Sequence, residues 1–91
     1  MEKLIKRSYA SICRRSLIDK NTTLEDFNDK ILEEFEEMQF EFEQGNLELY
    51  IHEGFDLINV FLNFCIHNNI DIKKRFEEIV IKNELRAMKN Q

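Results

Sequence analysis

The chain has 91 residues, no proline, two glycines and a formal net charge of −5, which excludes a general nucleic-acid binder because affinity for a phosphate backbone needs clustered lysine and arginine. Its length fits one domain over residues 1–91, and its scarcity of turn-forming residues and wealth of Glu, Leu, Ile, Lys and Phe favour long helices over strands. We see no leader-like start and no apolar stretch of membrane-spanning length, so we expect a cytoplasmic protein without membrane contact.

The first two helices follow from apolar periodicity and capping residues. Apolar side chains recur at helical spacing from about Glu2 to about Ile18, which predicts the first helix. Thr22 followed by Glu25 has capping-box spacing and predicts the start of the second helix. That helix is expected to continue to about residue 44, because the next residue, Gly45, is suited to the left-handed conformation that closes helices.

The third and fourth helices complete the predicted architecture. The third helix is predicted from about Leu47 to Asn68, and the fourth from Asp71, as N-cap, to about Met88. The connections are short enough to make sequential helices antiparallel neighbours. The sequence therefore predicts an all-α fold, a four-helix up-and-down bundle.

The third helix is apolar around most of its circumference, which is typical of a helix covered on nearly all sides. Four helices of this length can hardly cover it within one chain. We therefore expect a homo-oligomer, a homodimer or a dimer of dimers, with the third helix at or near the subunit interface.

A polar stripe interrupts this apolar surface, and it contains two acids. Ionised carboxylates next to hydrocarbon are costly unless they pair with cations or bind a metal. The stripe consists of His52, Glu53, Asp56, Asn59, Asn63 and His67. Histidines in such a position are more often structural than ligands, and the two asparagines are expected either to contact substrate or to satisfy buried neighbours.

The second helix adds further acids on the side that can face this stripe. Glu34, Glu37 and Glu41 lie along one shoulder of its apolar face, where they can meet Glu53 and Asp56 across an antiparallel helix pair. Converging carboxylates repel each other unless a divalent cation intervenes, and oxygen ligands select Mg²⁺, Mn²⁺ or Ca²⁺. The sequence thus predicts a metal site between these helices.

These residues resemble a known family. The segments Glu33-Glu34-Phe35-Glu36-Glu37 and Glu53-Gly54-Phe55-Asp56 are similar to the EExxE and ExxD pair of the all-alpha nucleotide pyrophosphohydrolases, the MazG-like superfamily. The segment Asn83-Glu84-Leu85-Arg86 resembles the N-x-x-R element of its last helix. The resemblance covers roughly residues 26–86.

The resemblance implies a Mg²⁺-dependent enzyme, with Mn²⁺ as a possible substitute, that converts (d)NTP to (d)NMP and pyrophosphate. It implies Glu34, Glu37, Glu53 and Asp56 as metal ligands and Glu33 as an accessory catalytic acid. It also implies substrate contacts from the fourth helix, at Lys82, Asn83 and Arg86.

Two alternatives remain open on the sequence. One alternative is a phosphoribosyl-ATP pyrophosphohydrolase, a relative with similar acidic motifs. The pair Asn83 and Arg86 favours the nucleoside triphosphate pyrophosphohydrolase over it. A catalytically silent helical dimer with a binding or regulatory role is the other alternative, because Ile79 stands where family members often carry a lysine.

Overall fold

The computed structural model describes residues 1–89, which form four α-helices and no strand. The helices are α1 (Glu2–Arg14), α2 (Leu24–Glu43), α3 (Leu47–His67) and α4 (Ile72–Lys89). The predicted all-α class is confirmed for this part of the chain. None of the four helices is long and apolar enough to span a membrane.

Helix α1 ends four residues earlier than predicted. Ser16 adopts a positive φ of 60°, its N–H donates to the carbonyl of Cys13, and the N–H of Leu17 donates to that of Ile12. This pattern closes a helix through a left-handed residue. The apolar periodicity nevertheless continues past the turn, since Ile18 is buried in the core from the connecting loop. Apolar periodicity indicates which residues are buried, and here a buried residue lies in a loop rather than in the predicted helix.

Helix α2 begins with a capping box that is shifted by one residue from the prediction. Thr23 is the N-cap: its Oγ1 accepts the N–H of Asp26 at 3.2 Å, and the Asp26 carboxylate accepts the N–H of Thr23 at 2.8 Å. The predicted pair, Thr22 and Glu25, does not form the box, because the Thr22 hydroxyl accepts the N–H of Asp19 instead. Two adjacent threonines offer nearly the same local signal, and the preceding turn selects between them.

The remaining boundaries agree with the prediction within a residue. Gly45 follows α2 with a φ of 71°, and Asn46 caps α3 by accepting the N–H of Leu49. The carboxylate of Asp71 accepts the N–H of Lys74 at 3.0 Å at the start of α4, as expected of an N-cap.

Helix α3 is the central element and packs against α2 and α1. Near one end of the α2–α3 pair Phe27 meets Phe64, and near the other Phe42 meets Tyr50, so the two helices are antiparallel. Helix α1 is attached to α3 by the Tyr9 hydroxyl, which lies 2.8 Å from Nδ1 of His67. His67 therefore has the structural role that its position in the sequence favoured.

Helix α4 differs from the other three because none of its residues is buried and it has no extended contact with them. One side of α3 is open as well. The exposed apolar residues of that side are Leu47, Ile51, Phe55, Ile58 and Phe61. Residues 1–89 therefore leave one side of α3 uncovered, as expected of a single chain.

Candidate active site

Three carboxylates from two helices converge on one point. Glu34 and Glu37 are one turn apart on α2, and the antiparallel packing of α3 places Glu53 opposite them. One oxygen of each side chain lies within 4.8 Å of the others. Three of the four metal ligands implied by the resemblance thus lie together.

The environment of these acids favours protonation when no metal ion is bound. Burial raises the pKa of Glu34, which is only 7% exposed, and the neighbouring Lys30 opposes that rise only in part. The pKa of Glu37 is raised chiefly by the carboxyl group of Glu53, because two close carboxyls are better accommodated when one carries a proton. Negative charge at this point is therefore unfavourable without a counter-charge.

The donor set fits a hard divalent cation. The Oε2 atoms of Glu34 and Glu53 are buried and have no hydrogen-bond partner among residues 1–89. Buried polar atoms without partners are rare, and carboxylate oxygens are the ligands that Mg²⁺ and Mn²⁺ prefer. Glu34, Glu37 and Glu53 could therefore hold such an ion, which would satisfy both orphaned oxygens.

The other predicted acids lie at the margin of this group. The Asp56 carboxylate is 3.6 Å from Nε2 of His52 and is outside the three-carboxylate group. It lies one helical turn after Glu53, so it projects from the same side of α3. Glu33 is exposed and accepts a hydrogen bond from Nζ of Lys30 at 3.1 Å.

The residues implied as substrate contacts are placed elsewhere. Lys82, Asn83 and Arg86 are all exposed on α4. Because α4 has no extended contact with α2 or α3, the fold does not bring these three side chains to the carboxylates of the same chain.

Lys30 is a candidate functional residue that sequence reasoning missed. Its Nζ lies 3.1 Å from Glu33 and 3.3 Å from Glu34, and the hydrogen bond to Glu33 is the main reason why the pKa of Lys30 is raised. A signal was present, because Lys30 is the single basic residue of α2 and precedes the two acids by three and four positions. It supplies a positive charge beside the acids.

The comparisons with known proteins agree with this chemistry. The family model described as phosphoribosyl-ATP pyrophosphohydrolase matches residues 1–83. That family is part of the MazG-like all-alpha nucleotide pyrophosphohydrolase superfamily, so the resemblance is confirmed at the superfamily level. No curated protein and no solved structure matches the chain.

Proposed function

The chain belongs to the phosphoribosyl-ATP pyrophosphohydrolase family, part of the MazG-like superfamily of nucleotide pyrophosphohydrolases. Within that superfamily we propose that it is a nucleoside triphosphate pyrophosphohydrolase. It converts (d)NTP to (d)NMP and pyrophosphate with Mg²⁺ or Mn²⁺ held by Glu34, Glu37 and Glu53. Asp56, one helical turn after Glu53 on α3, would be the fourth ligand. The observation that carries the proposal is the convergence of three carboxylates, two with orphaned buried oxygens, between α2 and α3.

The side chains around the cluster take the remaining roles. When bound, the ion neutralises the polyphosphate and lowers the pKa of a coordinated water. Lys30 adds a second positive charge for a phosphate oxygen. The exposed Glu33 carboxylate accepts the proton of the attacking water, with Glu41 as the alternative acceptor. The bond between the α and β phosphates breaks, and pyrophosphate leaves.

Phosphoribosyl-ATP is the second candidate substrate. The family match favours this substrate. The match ends at residue 83, so it does not include Arg86, whose presence favoured a nucleoside triphosphate as substrate. The same bond breaks in either substrate. Phosphoribosyl-ATP differs from ATP in the phosphoribosyl group on its adenine, which is remote from the triphosphate.

We also propose that the protein works as a homo-oligomer. Helix α4 carries apolar side chains that stay exposed among residues 1–89, including Phe76, Val80 and Ile81. A second copy would cover α4 and the open side of α3 and would give Lys82, Asn83 and Arg86 a route to a substrate. Their role as substrate contacts rests on that assembly.

Pyrophosphate release from a panel of substrates tests the activity. Purified protein is incubated with the ribo- and deoxyribonucleoside triphosphates and with phosphoribosyl-ATP, with and without Mg²⁺ or Mn²⁺. We expect metal-dependent release from at least one nucleoside triphosphate. Preference for phosphoribosyl-ATP would select the second candidate, and silence on every substrate would leave the non-catalytic alternative.

Glu37→Gln and Glu48→Gln form a matched pair for this assay. Glu37→Gln removes a ligand charge, and we expect turnover to fall by about 100-fold or more, since metal stabilisation of transition-state charge is worth several kcal/mol. Glu48 is exposed on α3, away from the cluster, so Glu48→Gln should retain full turnover. Equal activity of the two variants would show that the carboxylate cluster is not the active site.

A further inference from the structure

A cavity of about 480 Å³ opens beside the carboxylate cluster, between the α1–α2 loop, α2 and α3. Its volume is within the roughly 300–1,000 Å³ of small-molecule sites. Glu34 and Asp56 line it on the side of the cluster, and Lys30 lies next to them. A molecule in this cavity would therefore be in direct reach of a phosphate chain bound at the carboxylates.

The walls of the cavity are largely apolar. Ile18, Phe27 and Val60 line it, and the Phe27 ring is held in place by edge-on contact with Phe64, at a centroid distance of 5.5 Å. A fixed aromatic ring and branched aliphatic side chains form the kind of surface on which a flat heterocycle packs.

Asn63 is the most deeply buried of the polar residues that line the cavity. It is 2% exposed, the most buried polar side chain among residues 1–89, and its Oδ1 has no hydrogen-bond partner there. Its neighbour on the polar stripe, Asn59, is satisfied, because its Oδ1 accepts the Ser8 hydroxyl at 2.8 Å. A buried amide oxygen without a partner is unfavourable, so Asn63 needs a donor that this part of the chain does not supply.

We propose that this cavity binds the nucleoside part of a nucleotide, with an N–H of the base donating to Oδ1 of Asn63. The base packs against the apolar wall, and the phosphates extend past Lys30 to the carboxylates. This inference rests on the proposed function. It assigns the substrate's base to a site formed by α2, α3 and the loop before α2, and it makes Asn63 a binding residue outside the metal cluster.

Titration with nucleoside monophosphates, followed by calorimetry, tests the site without any turnover. Wild type should bind at least one of AMP, CMP, GMP and UMP, and Asn63→Leu should weaken that binding by about 10-fold, the loss expected for one buried hydrogen bond. Binding of inorganic triphosphate with Mn²⁺ should be unchanged. Asn28→Leu is the matched control, because Asn28 is exposed on α2 and should bind like wild type.

Two further measurements distinguish the loss of a binding contact from misfolding of the variant. Asn63→Leu should melt at the same or a higher temperature than wild type, since it removes an unsatisfied buried oxygen. In wild type, the side-chain amide resonances of Asn63 should shift during titration with the monophosphate that binds. Unshifted Asn63 resonances at saturation, or equal affinity of wild type and Asn63→Leu, would overturn the inference.

The nucleoside site and the proposed activity can be refuted independently of each other. Hydrolysis of triphosphates with unaltered KM in Asn63→Leu would leave the proposed function standing and refute the nucleoside site. Monophosphate binding that depends on Asn63, in a protein that hydrolyses none of the substrates, would refute the activity and leave the site standing.

Discussion

Glu34 and Glu37 are one helical turn apart and experience different surroundings. Glu34 is buried and has Lys30 as a partner at 3.3 Å, whereas Glu37 is exposed and faces the carboxyl group of Glu53. The pKa of each is raised, in the first case chiefly by burial and in the second chiefly by the hydrogen bond that the protonated Glu37 carboxyl shares with Glu53. Both effects have the same consequence, which is that the metal-free folded chain holds protons more tightly than the unfolded chain.

The metal-free protein should therefore become more stable as the pH falls from neutrality toward the ordinary carboxyl pKa of 4.5. A carboxyl with a raised folded-state pKa favours folding once it is protonated, so the gain begins at the raised pKa and is complete below the ordinary value of 4.5. Urea unfolding at a series of pH values across this range measures the gain in the free energy of unfolding.

In saturating Mn²⁺ the free energy of unfolding should instead increase with pH, because the bound ion stabilises the ionised acids. Glu37→Gln should flatten the slope of the metal-free protein. A metal-free stability that decreases steadily over the same range would contradict the electrostatics of the cluster.

At the scale of the helices, α1, α2 and α3 end in the same way. Each is followed by a residue with positive φ, at Ser16, Gly45 and Asn69, and each has the paired backbone hydrogen bonds that such an ending allows. Only one of the three positions is a glycine. Serine in a left-handed conformation is a weak signal in a sequence, which explains why the end of α1 was predicted four residues too late.

The two glycines lie in different backbone conformations, so replacing each by alanine should change the stability of the fold in opposite directions. Gly45→Ala should destabilise the fold by about 1 kcal/mol, because a Cβ at φ 71° is strained. Gly54→Ala should stabilise it by about 0.5–1 kcal/mol, since a Cβ there would meet only Met38, at 3.4 Å, in ordinary contact. Urea unfolding of both variants measures the difference, and a shared sign would contradict this account.

At the scale of the whole molecule, charge and apolar surface are distributed unevenly. Helix α2 has nine acids and one lysine, whereas α4 has six basic and three acidic residues. The two helices have no extended contact within one chain. Opposite charge and open apolar faces on separate elements are the properties of surfaces that meet between copies.

Sedimentation should therefore show a species of at least twice the 11.0 kDa of one chain. Phe76→Ser on α4 should weaken the association by about 10-fold or more, because burial of an aromatic side chain is worth about 1.5–3 kcal/mol and a symmetric interface repeats it. Glu84→Gln, also exposed on α4, is the control and should associate like wild type. A wild-type monomer at every concentration would refute the oligomer.

Local patterns were sufficient for much of this protein. The four helices, the cap at Asp71 and the glycine ending at Gly45 followed from the sequence, because periodicity and capping depend on residues within one or two turns. The acidic faces of α2 and α3 followed for the same reason. The superfamily was accessible too, since its motifs are short and lie within single helices.

Only the tertiary structure decided which side chains meet. Helical periodicity assigns a residue to a face but leaves the rotation and offset of two packed helices open, so the sequence could not separate Glu53, which joins Glu34 and Glu37, from Asp56, which lies beside them. Within residues 1–89, the buried, unpartnered oxygen of Asn63 and the missing contacts of α4 likewise depend on how whole helices pack. Contacts between distant segments are set by that packing, and no short stretch of sequence contains it.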